Sequence, residues 1–147
     1  MPSFAQVRDA AIAALKQSLP KGTRCEPFEG GLNPESVALK RLSRSGAVLV
    51  TCIGAVNTSE ADTLDCTMQL ALGAFCISQS AAGAAGREAD ALPLAQTVSR
   101  LVHGSSFDLA GVTPGRLLGV ENQFTVELEK QSITAWAVTW EHHIVFE

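Results

Sequence analysis

TAWAVTWEHHIVF, residues 134–146, decides the fold. Every second residue falls on one side: Trp136, Val138, Trp140, Ile144 and Phe146, with His142 among them. Thr139, Glu141, His143 and Glu147 fall on the other, with Ala135, Ala137 and Val145. A strand has a period of two, so this pattern predicts one buried face and one wetter face. Both tryptophans of the chain lie on the apolar side. The C-terminal stretch is therefore expected to be core structure, and truncating either indole to Ala should cost roughly 3–5 kcal/mol.

Working outward, the preceding stretch also alternates. Leu118, Val120, Phe124, Val126 and Leu128 stand against Gly119, Glu121, Gln123, Thr125, Glu127 and Glu129. Arg116 to Glu129 therefore reads as a strand, and with the Trp-bearing strand it predicts a long antiparallel hairpin. Opposed residues share a face, so even-numbered residues must face even-numbered ones. The connecting loop then has an odd number of residues unless a bulge intervenes, and Lys130-Gln131-Ser132 is the expected loop. Upstream, GAVLVTCIG at 46–54 is apolar on both faces, as in a strand covered on both sides. Asn57 to Asp62 reads as a turn or loop. Leu64 to Ile77 alternates as the next strand, with Cys66, Met68, Leu70 and Leu72 on one face.

Helices separate and precede these strands. Phe4 to Leu19 carries an apolar stripe of Phe4, Val7, Ala11, Ala14 and Leu15, with Ser3 and Gln6 placed as a capping box. Pro20 and Gly22 end it, and Thr23 to Phe28 reads as a short strand. Asn33 and Pro34 begin a two-turn helix that ends near Ser43. SQSAAGAAGRE, residues 78–88, reads as a flexible connector. A second long helix then runs from about Arg87 or Ala91 to His103, and Pro93 argues for a start near Asp90, since proline suits the first turn. Ala91, Leu94, Ala95, Val98, Leu101 and Val102 form its buried side, and Gly104 terminates it. The expected fold is α+β: an antiparallel or mixed sheet, two main helices on one face, a short extra helix, and a single domain over residues 1–147.

The composition agrees with one domain. The chain has 147 residues, 46% hydrophobic and 18% charged, which excludes a disordered chain. No apolar run approaches the roughly 20 residues needed to span a bilayer, so no membrane partner is expected. MPSFAQVRDA lacks the basic and apolar regions of a secretory signal, which implies synthesis in the cytoplasm. A net charge of −4 disfavours tight binding to nucleic acid. Lys40, Arg41 and Arg44 make a local basic cluster, which reads first as the solvated side of a short helix.

No catalytic motif stands in the chain. Cys25, Cys52, Cys66 and Cys76 are dispersed, without paired spacing, and read as structural thiols. Labelling of Cys52 and Cys66 in the native protein should therefore be slow. Glu127 and Glu129 could suggest paired carboxylates, but a solvated strand face accounts for them. His142 and His143 are adjacent on a strand, so they point apart and do not share a metal. There is no G-x-S-x-G elbow and no phosphate-binding glycine loop. No catalytic residue, metal ligand or cofactor follows from these residues.

The order of the segments carries more. An acidic-Gly turn, a short helix with a basic end and an A-V-L-V strand span Glu29 to Val50 (EGGLNPESVALKRLSRSGAVLV). A leucine-rich helix ending in H-G, a loop, RLLGV and a Trp-bearing closing strand span Leu94 to Phe146. This order resembles the Mu-like phage family of small tail proteins assigned as tail terminators, or tail completion proteins. The resemblance covers most of the chain. The SAAGAAG connector and the stretch Asn122 to Ser132 depart from the family pattern, so contacts made there are not carried over.

The resemblance implies a structural, non-enzymatic protein of a phage or prophage. It implies a homo-oligomeric ring, six-fold to match a tail tube, that caps the tube and sheath and joins the head connector. Its place would be the virion tail. Arg41 and Arg44 after the short helix, Arg116 before the hairpin, and Glu127 and Glu129 near its tip are the expected contact positions. A head–tail adaptor or a tail-tube-like protein is the nearest alternative, and a small ligand-binding or hydrolase domain a further one.

Overall fold

The computed structural model describes residues 2–28, 46–60, 66–79 and 83–146. In chain order the elements are α1 (Phe4–Ser18), β1 (Arg24–Pro27), β2 (Ala47–Asn57), β3 (Cys66–Gln79), α2 (Ala84–Val102), β4 (Arg116–Asn122), α3 (Val126–Lys130) and β5 (Ile133–Phe146). The five strands form one sheet in the order β1-β2-β3-β5-β4. β1 runs parallel to β2, and the other pairings are antiparallel, so the sheet is mixed and the fold α+β. The expected short helix at Asn33 to Ser43 lies outside the described residues.

The alternation of β5 sets the layers. β5 lies along β3 without a break in register, so Leu72 faces Trp140, Ala74 faces Val138 and Cys76 faces Trp136. These even-numbered residues form the principal core with Val7, Ala11 and Leu15 of α1 and Leu94, Val98 and Val102 of α2. Both long helices therefore cover one face. The odd-numbered face is also apolar at one end of the sheet. There Leu49, Ile77, Ile133 and Ala135 pack with Phe28 and with Leu128 of α3. That second core explains why the 46–50 segment is apolar on both sides.

α1 forms as its capping signals require. The Gln6 N–H donates to Ser3 Oγ at 3.1 Å, and the Ser3 N–H donates to Gln6 Oε1 at 2.7 Å. The two exchanges satisfy orphan donors of the first turn. Gly46 introduces β2 at φ +84°, where a Cβ would stand 2.7 Å from Ile77 O. Both the dihedral and the close approach to β3 require glycine there. β2 then continues past Gly54 to Asn57, through a register shift between Cys52 and Gly54. The bulge shifts the alternation by one, so that Ala55 turns to the core and Val56 to solvent.

Two expectations are corrected. α2 begins at Ala84, not near Asp90, so Pro93 lies inside a 19-residue helix. Pro93 sits on the solvent side, where water can satisfy the carbonyl its ring leaves without a donor. Ala84 and Ala85 of the supposed connector are strong helix formers and open the first turn.

The second correction concerns the hairpin. β4 ends at Asn122, and Val126–Lys130 is a helix, not strand. Even residues do face even ones across Gly119–Asn122, as Val120 faces Val138, but only beyond a register shift between Leu117 and Gly119. Lys130-Gln131-Ser132 does not close the hairpin; the connection runs through α3. Thr125 caps that helix by accepting the Leu128 N–H at 3.1 Å. A strand would have buried Phe124, Val126 and Leu128 together. The helix turns only Leu128 inward, and Phe124 is 67% and Val126 57% exposed.

Candidate functional site

The expected contact residues fall at separate places. Arg116 opens β4 and its Nε donates to Glu141 Oε1 at 2.9 Å. Glu141 is buried and also accepts from Gln69 Nε2 on β3. The guanidinium itself stays largely in solvent, at 68% exposure. Glu127 is exposed in the first turn of α3. Glu129 receives Arg87 Nη2 at 2.8 Å, and Arg87 is nearly fully buried. Arg116 and α3 lie at opposite ends of β4, roughly 20 Å apart at strand rise, so the fold does not unite them. Arg41 and Arg44 lie outside the described residues.

Arg87 was missed by the reading of a flexible connector. Its Nε also donates to Thr134 Oγ1 at 3.3 Å, so one side chain ties α2 to α3 and β5. The signal was present. Once the helix is extended back, Arg87 stands four residues before Ala91, on the buried stripe.

His142 is fully buried on the helix side of β5. Trp140 Nε1–H donates to its Nε2 at 3.0 Å, so Nδ1 carries the proton and donates to Thr113 O at 2.8 Å. Burial holds its pKa below the ordinary imidazole value, against a smaller opposing effect of the Thr113 bond. Phe107 packs edge-on to the ring at 5.4 Å. Phe107 and Asp108 both hold positive φ, at 53° and 58°. The imidazole is thus a neutral peg that fastens the 105–115 loop to the sheet. His143 turns the other way and donates its backbone N–H to Thr113 Oγ1 at 2.8 Å.

Burial favours the protonated form of three of the four thiols. Burial pushes Cys25 up to about 11 and raises Cys52 and Cys76 as well. Cys25 and Cys76 are buried, while Cys52 and Cys66 are half-buried. Among the described residues no group of three His, Cys, Asp or Glu side chains could hold a metal ion. No described helix is long and apolar enough to cross a membrane.

Two concavities among the described residues lie near the expected and observed contact elements. One of about 500 Å³ runs between α1 and the 104–108 loop, where Asp108 is the one ionisable side chain in its lining. A smaller cleft of about 110 Å³ lies between the second turn of α2 and the end of β4, with Glu88, Phe124 and Glu129 at its walls. Neither presents a nucleophile next to a base. What the arrangement offers is contact surface: an exposed phenyl ring and valine in an acidic setting at one corner of the sheet.

No protein-family model matches the chain, and no curated protein matches it. Among solved structures, a chain of the virion of a native gene transfer agent particle is similar with a TM-score of 0.59 at 16% identity. The likeness covers 98% of this chain and 100% of that one. At this identity it establishes a shared fold from end to end.

Proposed function

We propose that this protein is a structural component of a phage or prophage virion, and specifically a tail terminator. In this reading it forms a closed six-fold ring on the tail tube and sheath and offers its other face to the head connector. The observation that carries the proposal is the end-to-end fold likeness to a chain of a gene transfer agent virion. The order of segments, from the acidic-Gly turn to the Trp-bearing closing strand, supports the narrower assignment. Open surface grooves without a nucleophile–base pair suit an assembly protein better than an enzyme. A net charge of −4 suits a ring through which nucleic acid passes without adhering.

The test is made in phage assembly. Deleting the gene should yield overlong or headless tails under the electron microscope. Tails of normal length joined to heads in its absence would overturn the reading.

A further inference from the structure

We propose that the corner built by the end of β4 and α3 docks onto the opposite edge of a second copy, at the turn between α1 and β1. Two exposed apolar side chains mark the corner. Phe124 and Val126 are 67% and 57% exposed, and they follow one another around the corner. Glu88, Glu121 and Glu127 stand exposed on the elements that flank them, with Lys130 offsetting one charge. A phenyl ring in an acidic setting suits a cationic partner, through the ring face and through the carboxylates.

The chain carries such a partner. Lys16 is exposed near the end of α1, Lys21 is exposed in the following turn, and Arg24 opens β1. Glu26 takes up the Arg24 Nε at 2.9 Å. At 100° per residue, Lys16 lies about 60° round α1 from the groove residue Ala13, about 100° from Gln17 and about 160° from Ala14, on the rim of the groove. It is close enough to β1 for its charge to oppose the rise of the Cys25 pKa.

The sheet sets the geometry of the contact. β1 and β4 are the two outer strands of the sheet, roughly 19 Å apart at normal strand spacing. Arg24 pairs with Ala47, Ala47 with Ile77, Ile77 with Ala135, and Ala135 is next to Trp136, which pairs with Asn122. The basic turn and the acidic corner thus lie at the same end of the sheet, on opposite sides. Lateral displacement of one copy by a molecule's width would bring the corner at one sheet edge beside the basic turn at the other, where the long Lys16 and Lys21 side chains could extend to Phe124. The two patches differ, so the contact is heterologous and propagates until it closes. The inference gives the proposed ring its contact surface and rests on that reading.

The test uses purified full-length protein in sedimentation velocity at low and high salt. Wild-type protein should form assemblies larger than dimers at low salt and lose them at high salt. Phe124→Ser should raise the dissociation constant about thirtyfold, as at an interface hot spot. A Lys16→Glu and Lys21→Glu double variant should be equally defective. Both changes lie at exposed positions, so circular dichroism should match the wild type. An equal mixture of the two defective proteins retains one intact corner and one intact edge, and should give dimers and nothing larger. A mixture that stays monomeric overturns the proposal, as does a wild type that stays monomeric at high concentration and low salt. Wild-type rings unaffected by either variant also overturn it, while leaving the tail-cap reading to be judged by tail length in the deletion strain. Association only with another basic tail protein would likewise overturn the second-copy assignment.

Discussion

Trp140 and Trp136 share a strand face but differ in what their indoles reach. Trp140 is fully buried and its N–H donates to His142 Nε2. The Trp136 N–H is buried with no acceptor among the described residues. A buried donor left unpaired costs about 1–3 kcal/mol, so replacing it with an apolar ring removes a penalty. Trp136→Phe should therefore be close to neutral in urea titration. Trp140→Phe should cost about 1–3 kcal/mol more, because it leaves the His142 acceptor without its donor. His142 adds a pH dependence. The unfolded chain takes up a proton near pH 6.5, and the native protein resists it to lower pH. Stability is thus full above about pH 6.5 and declines as pH falls toward the lowered native value. Thermal melts across this range should show the decline, and His142→Gln should flatten it. A wild-type slope retained in the variant would contradict the neutral peg.

α2 and α3 carry tests at the scale of elements. Pro93 lies in the middle of α2 and removes one intrahelical bond. Pro93→Ala should stabilise the protein, by up to about 3 kcal/mol on helix propensity, and raise the melting temperature. A helix beginning near Asp90 would place Pro93 in its first turn, and the change would then be nearly neutral. Thr125→Ala removes the cap of α3 and should cost about 1 kcal/mol. It should also loosen Leu128 from the second core. Both changes are read by thermal unfolding. The long alternating strands β3 and β5 and the capped α1 were legible because fourteen or fifteen residues sample a period many times. VELEK samples less than two helical turns, so an alternation of period two and a helix fit it equally well. The α2 start was misplaced because proline is a local signal and Ala84–Ala91 carries few large side chains to report a stripe.

At the scale of the whole molecule, α1, α2 and four strands contribute to one principal core. Unfolding should then be a single cooperative event. Tryptophan fluorescence reports β5, and far-ultraviolet circular dichroism is weighted toward the helices. The two signals should give coincident urea transitions; separate midpoints would mean that a helix detaches alone. The sequence by itself determined the α+β class, the single domain, the face of β5 that is buried, and the capping of α1. Each depends on periodicity or on contacts within one turn, which are local quantities. Only the tertiary structure decided that Leu128 and not Phe124 goes inward, and that Glu129 is taken by Arg87, 42 positions away in the chain. It also decided that His142 fastens a loop as a neutral imidazole. These outcomes depend on which strands become neighbours and which end of the sheet receives the second core. No window of adjacent residues contains that information, because the groups that compete for each partner are brought together only when the chain closes.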